Sequence, residues 1–272
     1  MLSRAVDLFS RSQRILRILI LVVAALPACS RRPVPLPSET PISTTDANQI
    51  LEELQSKELS VARYQAVLKV RGRGPEGRFS ATQVLVFERP DRMRVELLGV
   101  FGSTRWVTVA TGDEILVYIP SRRQFLRETE VARVVGALLG VALGTEEIMS
   151  MLTGAGLPLE RRRAQRAFRR GEIIRIELDR GSFEIDREQV RTATGPNYRV
   201  SYPTRWKEQG RQVPDRIDLE ADGLEASLKI EDLDVNISIK PEVFTLVLPD
   251  DAQRVELHQI GGEAVFVNTE RQ

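Results

Sequence analysis

The chain is poor in the residues that most enzymes depend on. Of its 272 residues one is cysteine, Cys29, and one is histidine, His258. A lone cysteine excludes a disulfide within the chain and a thiolate metal cluster. A lone histidine in a poorly patterned tail leaves little for a Ser-His or Cys-His nucleophile, and no GxSxG, HExxH or CxxC spacing occurs. Charge of one sign is lacking too: 39 basic residues meet 38 acidic ones. Without a basic excess, nucleic acid is not the expected partner. Carboxylates are plentiful late in the chain, at Asp218, Glu220, Asp222, Glu225, Glu231, Asp232 and Asp234. A glycosidase needs a facing carboxylate pair. These acids fall instead on strand exteriors and turns, as a solvated face does. The expectation is no enzyme, no cofactor and no metal site.

Long apolar runs are missing as well. The run Ile18 to Leu26 is short of the roughly 20 residues that span a bilayer. It follows a basic segment (Arg4, Arg11, Arg14, Arg17) and ends in Leu26-Pro27-Ala28-Cys29. That is the form of an export signal, residues 1–28, with a lipobox. Cys29 is then the lipidated residue and the first of the mature chain. Acyl chains on one cysteine give stable anchoring, at about 0.8 kcal/mol per buried methylene. Loss of residues 1–28 leaves 35 basic and 37 acidic residues, a net charge of −2. Ser30 follows the cysteine. Aspartate there favours inner-membrane retention in many Gram-negative bacteria, so serine points to the outer membrane, with the domain facing the periplasm. Residues 29–43 hold Pro33, Pro35, Pro37 and Pro41 and read as an extended tether.

From Thr44 the chain has fold. Thr44 to Val61 reads as a helix capped within Thr44-Thr45-Asp46, with Ile50, Leu51, Leu54 and Leu59 on one stripe. Tyr64 to Phe125 reads as five or six antiparallel strands. Phe79, Ala81, Gln83, Leu85 and Phe87 take one face of one strand, and Ser80, Thr82, Val84 and Val86 the other. Met93, Val95 and Leu97 repeat the alternation. Gly72 to Gly77 is a turn, without phosphate-loop spacing. Val131 to Leu152 changes period and is apolar almost all round. It predicts a lid over the concave face or an ordinary core helix. Arg161 to Arg170, with six arginines, reads as a solvated segment. Strands resume from Glu172, with Gln209-Gly210 at a hairpin tip and Phe244 to Leu248 as a final strand. The tail, 250–272, is expected to be a short hairpin or partly disordered. A sheet with one apolar face curls into a barrel or is covered by helices. Curled, it is a container.

Several stretches resemble the LolA/LolB lipoprotein-localisation family. They are Leu97-Leu98-Gly99-Val100-Phe101-Gly102-Ser103-Thr104, Glu147-Ile148 through Leu157-Pro158-Leu159, Tyr198 to Tyr202, Val213-Pro214-Asp215-Arg216-Ile217 and Leu228-Lys229-Ile230-Glu231-Asp232. The residues past Ile239 are more like the end of the LolA carrier, and the arginine-rich segment is a departure. The resemblance implies an α+β fold over 44–249: an unclosed antiparallel β-barrel with helices covering the concave face. It implies a function too: acyl chains of other lipoproteins, delivered by a periplasmic carrier, enter an apolar cavity and pass to the outer membrane. Cavity-lining candidates are Leu85, Phe87, Met93, Val95, Trp106 and Ile148. Val100 and Phe101 take the place of the family's membrane-contacting loop. The runner-up is an envelope lipoprotein that uses the fold to bind another lipid or a protein partner.

Overall fold

A computed structural model describes residues 38–74, 77–99, 102–160, 162–208 and 211–260. The signal segment, Cys29, most of the tether, Val100, Phe101, the Gln209-Gly210 tip and the tail beyond Ile260 lie outside them. Strand β1 (Thr40–Ile42) leads into helix α1 (Thr44–Leu59). Ser43, one residue before the expected cap, accepts a hydrogen bond from the Asp46 amide at 3.1 Å. Ala47, Leu51, Leu54 and Glu58 form the buried stripe, while Leu59 is exposed. The stripe advances three or four residues at a time, and that step reaches Glu58 rather than Leu59.

A meander follows: β2 (Arg63–Gly74), β3 (Gly77–Glu88), β4 (Arg92–Leu98), β5 (Thr104–Thr111), β6 (Glu114–Ile119) and β7 (Gln124–Thr129). Helices α2 (Val131–Leu139) and α3 (Thr145–Thr153) follow it. A second run comprises β8 (Arg166–Arg170), β9 (Ile173–Leu178), β10 (Gly181–Asp186), β11 (Gln189–Thr194), β12 (Tyr198–Glu208), β13 (Arg211–Ala221) and β14 (Leu224–Val235). Strand β15 (Gln253–Arg254) lies parallel to β7. All fifteen strands form one sheet in the order β1-β8-β9-β10-β11-β12-β13-β14-β2-β3-β4-β5-β6-β7-β15. The two runs meet through β14 and β2, paired from Glu225–Arg73 to Val235–Tyr64. The end strands β1 and β15 do not pair with each other, so the barrel stays open.

Register carries apolar rows across the inner face. One row runs Ala167, Ile176, Phe183, Ala193, Val200 and Leu219, all buried. Leu68, Gln83, Leu97 and Trp106 form another, and Leu85, Val95, Thr108 and Val117 the next. The strands pass very close where β2 and β14 join. A Cβ on Gly72 would lie 2.3 Å from the Glu225 carbonyl oxygen and 2.6 Å from the Phe79 ring.

Two expectations change. Residues 166–170 of the arginine-rich segment are strand β8, paired with β1 and β9. Ala167 faces the core while Arg166, Arg169 and Arg170 face solvent, so arginine dominates the composition but not the buried side. The expected strand at Phe244 is a 3-10 turn, Pro241–Phe244, lying across the convex face. There Phe244 covers Val86, Val107 and Val109, with Ile239, Val243 and Leu246 packed around them. Pro241 has no N–H to give to a ladder, and the Arg94 guanidinium holds the segment through the Val243 carbonyl at 3.1 Å. In the described part of the tail, β15 and a short 3-10 turn (Leu257–Gln259) bury Val255 and Ile260, and the rest of the expected hairpin, 261–272, lies outside the described residues.

Candidate functional site

The inner face is packed solid under β8 to β12 and hollow where the first run meets β13 and β14. The hollow is a cavity of about 200 Å³. One water needs about 10–15 Å³ on the same measure, so this is room for a guest and not a packing flaw. Its wall comes from β2 to β6 (Leu68, Val70, Ala81, Leu85, Val95 and Trp106 among others) and from β13 and β14 (Leu219, Leu228). Its roof is the pair of helices. Val135, Leu138 and Leu139 descend from α2, Leu143 from the link, and Ile148, Met151 and Leu152 from α3.

Local chemistry explains the roof. Gly140, at φ 81°, ends α2 in a conformation that costs glycine little. The Glu147 carboxylate accepts from the Gly144 amide at 3.1 Å and starts α3. The far end of α3 is then fixed from several sides. The Tyr202 hydroxyl donates to the Met151 carbonyl at 2.9 Å, and the Tyr198 hydroxyl to Gly156 at 3.2 Å. Burial pushes both phenols up, so both remain protonated donors. Arg205 donates to the carbonyls of Gly154 at 3.3 Å and Val190 at 2.6 Å, with its guanidinium over the Tyr202 ring. The Ser150 hydroxyl donates to Glu58 Oε1 on α1 at 2.5 Å. Arg89 Nη2 reaches the same oxygen at 2.8 Å, and its Nε donates to the Val61 carbonyl. Burial raises the Glu58 carboxyl above its ordinary value, and Ser150 and Arg89 pull the other way.

Leu85, Met93, Val95, Trp106 and Ile148 all line the cavity. Phe87 does not. Its ring stacks on Tyr64, centroids 4.9 Å apart, and belongs to the solid core. Leu85 and Phe87 share a strand face, and only the neighbours from β2 separate their roles. Cys29, Val100 and Phe101 lie outside the described residues. Sequence reasoning passed over the β13–β14 wall and two polar members, Gln83 and Thr108. Gln83 was already visible as the one polar side chain on its face of β3.

Among the described residues no charged side chain lines the cavity. The Trp106 indole N–H is satisfied by Thr108 Oγ1 at 2.5 Å, which leaves the wall almost wholly hydrocarbon. A half-closed sheet holding an uncharged hollow under two helices is the architecture of a container for an apolar guest.

Solved structures share this fold. A DUF1329 family protein from Desulfovibrio piger superposes with TM-score 0.56 at 8% identity. A domain assigned to outer membrane lipoprotein sorting, from Vibrio parahaemolyticus, gives 0.53 at 9%, and a LolA superfamily protein from Nitrosomonas europaea gives 0.52 at 15%. Each match covers 74% of this chain and 97% of the other. No known sequence family and no curated protein matches the chain. At these identities the likeness defines the fold: an unclosed LolA-type barrel.

Proposed function

We propose that the chain is a lipid-anchored, non-catalytic protein of the Gram-negative envelope. It takes acyl chains of other lipoproteins into its cavity and helps insert them in the outer membrane. The observation that carries this reading is the uncharged hollow of about 200 Å³ beneath α2 and α3. Transfer of hydrocarbon from water into such a wall yields about 0.8 kcal/mol per methylene. Guests then move down a gradient of affinity, from a periplasmic carrier to this cavity to the bilayer, without nucleotide. Cys29 holds the domain on the membrane. Val100 and Phe101, in the loop before Gly102, meet the bilayer or the guest.

The test is to purify the full chain from envelopes and identify bound molecules by mass spectrometry. Acylated species should accompany the wild type. Val95→Trp, which fills the hollow from a half-buried position, should lose them without any fall in its unfolding temperature. Equal recovery from both proteins, or no acylated molecule with either, refutes the reading. In a lipoprotein-transfer assay Phe101→Glu should block delivery and leave ligand binding intact.

A further inference from the structure

Gln83 lies in the hydrocarbon wall of the cavity, midway along β3. Its neighbours in register are Leu68 and Leu97, and its face also carries Ala81 and Leu85. No hydrogen bond holds its amide among the described residues. The half-buried carboxamide is left to whatever enters the space, water or a guest's own acceptor. One row further along, Thr108 Oγ1 accepts from Trp106 and keeps its own proton free to donate. Among the described residues no arginine, lysine or histidine lines the space.

We infer that Gln83 selects the guest's chemistry. The cavity takes acyl chains joined through a neutral ester or amide, whose carbonyl accepts from the Gln83 amide, and it rejects free fatty acids. A carboxylate brought into this wall has no cation to meet and loses its water. A carbonyl loses only one hydrogen bond with water and regains it from Gln83. Thr108, two strands away on β5, offers a second donor to the same cavity. This inference rests on the acyl-binding reading and narrows it to a substrate class.

The experiment displaces a fluorescent apolar dye, N-phenyl-1-naphthylamine, from the full chain at neutral pH. The competitors share one chain length: a monoacylglycerol, an N-acyl amide, the fatty-acid anion and the alkane. The ester and the amide should compete about tenfold better than the alkane, the gain expected from one well-made hydrogen bond in a dry site, and better still than the anion. Gln83→Leu should bind the dye as the wild type does and lose that tenfold preference. Gln83→Met, which keeps the side-chain length, serves as the second variant should the leucine protein not fold. A preference unchanged in a variant that binds dye, or an anion that competes as well as the ester, overturns the inference and leaves the container intact. Failure of the wild type to bind the dye overturns both. If the ester and the amide differ from each other, that result identifies which linkage the cavity prefers.

Discussion

The most consequential single contacts converge on Glu58. Its carboxylate is almost wholly buried where α1, α3 and the β3–β4 turn meet, and Arg89 and Ser150 are its partners. A buried ion pair is weak evidence of net stability, but removing one partner is expensive because a charge is left uncompensated. Arg89→Met should therefore cost about 3–5 kcal/mol in urea unfolding. Adding Glu58→Gln should restore part of that loss, since the stranded charge is then gone. The pH dependence has a definite sign. The folded carboxyl holds its proton more tightly than the unfolded one, whose value is 4.5. Its contribution to stability is full below pH 4.5 and is lost as pH rises through the raised folded value. Glu58→Gln should flatten that part of the stability profile. An unchanged profile would mean that another group sets it.

At the scale of elements, the two roof helices are held very differently. The C-terminal end of α3 takes hydrogen bonds from Tyr198, Tyr202 and Arg205, and its Ser150 is tied to Glu58. Helix α2 has no such side-chain ties among the described residues. Buried Val131 and Val134 hold it, and Val135, Leu138 and Leu139 rest over open space. Local stability follows packing, so amides of α2 should exchange with solvent faster than those of α3. A bound acyl chain should slow α2 more. Equal protection would show that the roof opens as one piece. A second element to test is β8. Ala167→Glu should destabilise strongly, because it puts a carboxylate into the buried row, whereas Arg170→Gln should stay within about 0.5 kcal/mol. The same strand shows where the sequence was legible and where it was not. Period-two alternation in 79–87 already assigned both faces of β3, since every inward residue but Gln83 is apolar there. In 166–170 only Ala167 and Phe168 interrupt the arginines, and one buried residue is too little signal for a periodicity. The split between Leu85 as cavity wall and Phe87 as solid core was not legible at all. It depends on Tyr64 arriving from β2 and on helices far along the chain.

The whole molecule is a compromise between packing and emptiness. One sheet serves both ends: strands β8 to β12 pack into solid core, and the first run, with β13 and β14, walls a hollow that costs stability when empty. The convex side is covered by the turn at Phe244, so the concave hollow is the large apolar surface left for a guest. Emptiness of this kind links binding to folding. A guest that enters only the folded protein adds about 2.7 kcal/mol of stability at a hundredfold excess over its Kd. For a domain of this size that raises the unfolding temperature by about 5–10 °C. Thermal unfolding with and without a monoacylglycerol should show this shift, together with a negative heat-capacity change of binding from the buried hydrocarbon. Val95→Trp should unfold at the temperature of the liganded wild type or near it, because its indole occupies the guest's place, and should then ignore added ligand. A wild type whose unfolding temperature does not move with ligand would mean that the hollow is not where acyl chains bind. A Val95→Trp protein that still responds would place the binding surface elsewhere on the sheet.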